Sequence, residues 1–83
     1  MFLKCYDASE PPGNLFCRIG GSDGIDYMYQ VEQWIIDTKD KSGVDGPIVR
    51  WDCIQGTGDA PGPLIRQWVR TPAGTVEEVQ ISS

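Results

Sequence analysis

Two segments near the carboxyl end, Ile48–Ile54 and Leu64–Arg70, interleave tryptophan, arginine and branched apolar residues with a period of two. That period is the side-chain repeat of an extended chain, because successive residues of a strand point to opposite faces. Both segments are rich in β-branched and aromatic residues and are bounded by glycine and proline, as strands are. The chain is therefore expected to build a sheet, and the rest of it must pack on that sheet.

The remaining punctuation orders the elements. Phe2–Asp7 and Leu15–Ile19 read as a first hairpin whose connection, through Pro11-Pro12-Gly13, cannot continue a ladder. After the break at Gly20–Gly24, the segment Ile25–Lys41 supports two readings. As a helix it carries one polar stripe, Asp26, Gln30, Gln33 and Asp37, with Ile25, Met28, Tyr29, Val31, Ile35 and Ile36 around it. Ser22 or Asp23 would cap its start and Gly43 would end it. As a strand, Ile25, Tyr27, Tyr29 and Val31 alternate, but Trp34 and Ile36 then break the alternation. The stripe favours the helix.

Thr75–Ile81 reads as a last strand, joined to Leu64–Arg70 by Thr71-Pro72-Ala73-Gly74, which suits a type I turn. The expected fold is one α+β domain over residues 1–83. Its order is strand, strand, helix, strand, strand, strand, with the helix on one face of an antiparallel sheet. The alternative is an all-β, SH3-like small barrel in which Ile25–Ile36 is a long bent strand.

Composition excludes several activities. The chain has no histidine, so it lacks the commonest metal ligand and the usual general base near neutral pH. Its three cysteines, Cys5, Cys17 and Cys53, form no Cys-x-x-Cys pair, and no zinc site is expected. They read as half-buried thiols behaving as small hydrophobes, which points to a reducing compartment. If a bridge forms, Cys5–Cys17 across the first hairpin is the pair expected. The chain shows neither a signal-peptide pattern nor a long apolar run, so the cytoplasm is the expected location and no membrane partner is expected. Seven Lys and Arg against twelve Asp and Glu give a net charge of −5, a poor match for nucleic acid.

Other motifs weaken on inspection. The run Gly56–Gly62 is glycine-rich, but Pro61 and Pro63 donate no N–H and a strand follows where a phosphate loop needs a helix. Asp37, Asp40, Asp45 and Gly46 lack the ligand spacing of a calcium loop. Asp52, Glu77 and Glu78 are the only carboxylates that invite an acid–base reading, and nothing in the sequence sets their separation. No cofactor and no catalytic residue is expected.

The arginines carry the remaining signal, since Arg18, Arg50, Arg66 and Arg70 all fall in predicted strands. If the last hairpin closes on Thr71–Gly74, then Arg70 opposes Thr75, Trp68 opposes Glu77, Arg66 opposes Val79 and Leu64 opposes Ile81. Leu64, Arg66, Trp68, Arg70, Val79 and Ile81 would then share a face, in one of two roles. They either form a ladder in which both arginines pair with Glu77, or an apolar patch rimmed by arginine, the composition that interfaces favour. Trp51 alternates with Val49 and Cys53 and is expected in the core, against Trp34, Ile35 and Val31. The function expected is a non-enzymatic interaction protein that associates with itself, and with another protein, through that hairpin. The alternative is a small-ligand or anion-binding module using the strand arginines.

Overall fold

The computed structural model describes residues 2–6, 14–31, 35–37 and 47–81. Every regular element among them is a strand: β1 Phe2–Lys4, β2 Leu15–Gly21, β3 Asp26–Gln30, β4 Ile35–Asp37, β5 Ile48–Gly56, β6 Pro61–Arg70 and β7 Val76–Val79. Five of them form an antiparallel sheet in the order β3-β2-β5-β6-β7, while β1 and β4 pair in a separate two-stranded sheet.

The expected α+β fold is thereby overturned. In place of a helix, the contested segment supplies β3 to the large sheet and β4 to the small one. The residues taken for a helix cap make a turn instead. Gly24 N–H donates to Gly21 O (3.1 Å), Gly21 N–H donates to Ile25 O (3.2 Å), and Asp23 Oδ1 accepts from Ile25 N–H (3.0 Å). Asp and Ser favour turns for the same reason that they favour helix caps, which is why one signal fits both. Beyond the turn the period of two prevails, with Tyr27 opposite Ile19 and Tyr29 opposite Cys17. The all-β alternative has the right element type, but its single bent strand is divided between two sheets. The expected first hairpin does not form either, because β1 pairs with β4 and β2 lies between β3 and β5.

Alternation sorts the large sheet into two faces. Cys17 opposes Cys53, Ile19 opposes Trp51 and Trp51 opposes Trp68, so these residues share an inner face. All of them are buried, Ile19, Trp51 and Cys53 at 0% exposure. The small sheet joins this face. Cys5 and Ile36 belong to the same buried cluster, Leu3 and Val31 pack against it, and Cys5 is bonded to Cys53 with their Cα atoms 5.7 Å apart. Trp51 is thus core as expected, in the same buried cluster as Ile36, while Trp34 lies outside the described residues. Its indole Nε1 is buried with no hydrogen-bond partner among the described residues. That orphaned donor costs about 1–3 kcal/mol against the favourable burial of the ring.

The bridge corrects the expectation of three separate thiols and the expected Cys5–Cys17 pairing. Fusing residues 48 apart in sequence removes chain entropy from the unfolded state worth about 4 kcal/mol. No helix among the described residues is long and apolar enough to cross a membrane.

The last hairpin closes as the first turn does. Gly74 N–H donates to Thr71 O (2.8 Å), Thr71 N–H donates to Thr75 O (2.7 Å), and Gly74 adopts φ 91°. The expected turn is present, but Gly74 adds a bulge after it, so Arg70 faces Val76 rather than Thr75.

Two stability measurements follow. Urea unfolding with and without reductant should show the reduced protein less stable by about 4 kcal/mol; equal midpoints would contradict the bridge. Gly74→Ala should cost about 1–2 kcal/mol from backbone strain alone, since an added Cβ would meet nothing within 4 Å. The same melt on that variant checks it.

Candidate functional site on the last hairpin

The glycine bulge decides what the hairpin presents. With Trp68 opposite Glu78 and Gln67 opposite Val79, β7 is one residue out of the expected register. Because the side-chain period is two, that slip moves every β7 residue to the other face. A second irregularity acts on β6, where Cys53 pairs with Arg66 but Ile54 pairs with Leu64, leaving Ile65 as the extra residue. The expected six-residue face is therefore divided. Arg66, Trp68 and Arg70 lie on the inner face, while Leu64 and Val79 lie on the outer one.

Each of the inner three is engaged. Trp68 is buried at 6% exposure, with the Arg66 guanidinium 4.9 Å from its ring centroid. Arg66 makes a forked pair with Glu78, Nε to Oε2 at 2.9 Å and Nη2 to Oε1 at 2.8 Å. Its Nη1 also donates to Lys4 O at 2.7 Å, tying β6 to the small sheet. The expected partner, Glu77, is on the opposite face. Arg70 donates to Ile48 O (2.9 Å) and Gly74 O (3.2 Å) and lies 5.3 Å from the Trp51 ring centroid. Of the expected ladder, the arginine–carboxylate pair forms at Arg66 alone, with Glu78 in place of Glu77, while Arg70 bonds backbone carbonyls instead. The hydrogen bonds from Arg66 hold the Glu78 carboxyl below its ordinary range.

Val79 and Ile81 do come together. With Ile65, Glu78 and Gln80 they line a shallow, open groove beside β7. β7 ends the large sheet, and no described strand pairs with its outer edge.

The outer face holds the arrangement that the sequence reading missed. Asp52 is at 0% exposure, yet it is held from three strands. Arg18 Nε and Arg50 Nε reach Oδ2 at 3.0 and 2.9 Å, and Gln67 Nε2 reaches Oδ1 at 2.7 Å. Arg50 continues to Asp26 on β3, Nη2 to Oδ1 at 2.6 Å. Its guanidinium crosses Gly20, where a Cβ would stand 3.1 Å from Arg50 Cζ. Burial is the largest influence on Arg50 and pulls its pKa down. The hydrogen bond to Asp26 and the nearby carboxylates outweigh it, leaving the pKa raised. The signal was an acid placed between Trp51 and Cys53 on a strand that also carries Arg50.

Among the described residues no group of three or more Cys, Asp or Glu side chains is placed to hold a metal ion. The calcium-like residues Asp40, Asp45 and Gly46 lie outside the described residues. No protein-family model, curated protein or solved structure matches the chain.

The two clusters should differ in weight. Asp52→Asn breaks a buried charge pair and should cost about 3 kcal/mol. Glu78→Gln breaks an exposed one and should cost under about 1 kcal/mol. Since the folded Glu78 pKa is depressed, its contribution is present above the ordinary value of 4.5 and is lost as pH falls through the lower folded value. The gap between wild type and Glu78→Gln in denaturant melts should accordingly close in acid; a gap independent of pH would contradict the pairing.

Proposed function

We propose that the protein is a non-enzymatic interaction module that associates with itself through the outer edge of β7. The observation that carries this reading is the position of β7 at the end of the large sheet. Such an edge presents unpaired backbone groups that another strand can complete.

The register of the hairpin says which groups those are. The bond from Thr71 N–H to Thr75 O fixes the alternation. The backbones of Glu77 and Val79 therefore turn toward β6, and those of Val76, Glu78 and Gln80 turn outward. A second copy pairing about a two-fold between Glu77 and Glu78 would set carboxylates opposite each other, which is unfavourable. A two-fold at Val79 avoids this. It places Val79 against Val79 of the second copy and Glu78 against Gln80, which exchange their outward N–H and C=O groups. The groove along Ile65 and Ile81 then lies beside the new strand.

The anion-binding alternative has less to recommend it. Each arginine of the chain is already bonded to a carboxylate or to backbone carbonyls. A cytoplasmic location, expected from the sequence, would expose the Cys5–Cys53 bridge to reduction; an oxidising compartment would preserve it.

Solution mass by light scattering over a concentration series tests the reading. Trp68→Glu is unsuitable because Trp68 is core. Gln80→Pro removes an outward N–H without touching the ladder, and Val79→Lys would set like charges across the two-fold. Wild type should be dimeric, and both variants monomeric with unchanged circular dichroism. A wild-type monomer at every concentration, or variants that still dimerise, would overturn the proposal.

A further inference from the structure

The inner face of the sheet brings all three cysteines of the chain together. Cys53 is bonded to Cys5, and Cys17 stands directly opposite Cys53 in the β2–β5 register, outside the bridge as a thiol. Cys5, Cys17 and Cys53 are exposed at 1%, 2% and 0% and belong to one buried cluster. Directly opposed residues of an antiparallel pair have Cβ atoms about 4.5–5.5 Å apart. A disulfide needs about 3.5–4.5 Å, so a small inward movement of the two strands suffices.

We infer that Cys53 is a shared sulfur with two bridging partners, and that the chain exchanges Cys5–Cys53 for Cys17–Cys53 without any outside oxidant. The Cys17 thiolate attacks Cys53 Sγ. The Sγ17–Sγ53 bond forms as the Sγ5–Sγ53 bond breaks, and the electron pair leaves on Cys5 Sγ, which takes up a proton in place of the one Cys17 gave up. One disulfide and one thiol stand on each side, so the step is an isomerisation.

Chain entropy does not choose between the two bridges. Their loops, 48 residues for Cys5–Cys53 and 36 for Cys17–Cys53, differ in closure probability by only about 1.5-fold. The structural consequence is lopsided. Cys17–Cys53 joins two strands that are already paired, whereas Cys5–Cys53 is the covalent link from β1 to the large sheet. After exchange, β1 is held by the packing of Leu3 and by the bond from Arg66 Nη1 to Lys4 O. The exchange therefore removes the covalent fastening between the small sheet and the inner face, leaving only packing and the Arg66–Lys4 bond there, while the large sheet stays cross-linked. It is a release device that depends on one thiol.

The test is peptide mapping of the folded, oxidised protein. It is incubated at mildly alkaline pH without oxidant or reductant, then trapped with a maleimide at timed intervals. Maleimide on Cys5 should rise with time together with a Cys17–Cys53 peptide, and neither should appear in Cys17→Ser. Cys5 labelling that stays at the level of Cys17→Ser, or that rises without a Cys17–Cys53 peptide, would overturn the inference. Mild oxidation of Cys5→Ser is a second route. It should yield the Cys17–Cys53 bridge directly, and a variant that folds yet keeps both thiols would overturn it as well.

Discussion

A carboxylate with no exposure to solvent must be paired wherever it sits, and Asp52 sits at the middle of the central strand. Its partners are its own cross-strand neighbours. Arg18 and Gln67 stand opposite it on β2 and β6, and Arg50 precedes it by two residues on β5. Arg50 then reaches Asp26, so four of the five strands are joined through one cluster. A slip of one residue in β2 or β6 would carry Arg18 or Gln67 to the other face and leave the carboxylate short of partners. The cluster thus contributes register more than it contributes net stability, because desolvation offsets much of the attraction in such pairs.

With the register fixed, consecutive residues of β5 take separate tasks. Trp51 fills the inner core against Ile19 and Trp68, Asp52 organises the outer face, and Cys53 bonds the small sheet through Cys5. The same register places Arg66 next to Glu78 and under Lys4 O, which joins the small sheet to the last hairpin. Arg66 and Arg70, which would look like interface residues on an open face, are thereby committed to holding the chain together. What the hairpin leaves over is its backbone edge.

The strands of the carboxyl half were legible in the sequence because their alternation is strong and their turn chemistry specific. Thr71-Pro72-Ala73-Gly74 named the right turn. The register was not legible, because whether glycine closes a hairpin directly or adds a bulge depends on its φ, which composition does not reveal. That single residue reassigned Val79 and Ile81. The helix expected over Ile25–Lys41 failed for a related reason. Ser22, Asp23 and Gly24 serve a cap or a turn equally well, and Tyr27 and Tyr29 were placed by their pairing with β2 rather than by local preference. Cys5–Cys53 was out of reach, since it joins two sheets whose packing no local pattern encodes.

The central claim is that the edge of β7 is a pairing surface whose outward groups belong to Glu78 and Gln80. Residue-resolved amide hydrogen exchange, followed at low and at high protein concentration, tests it most directly. Glu77 and Val79 should be protected at both concentrations, while Glu78 and Gln80 should exchange freely when dilute and become protected when concentrated. Protection at Glu78 and Gln80 that ignores concentration, or fast exchange at Glu77 and Val79, would contradict the account.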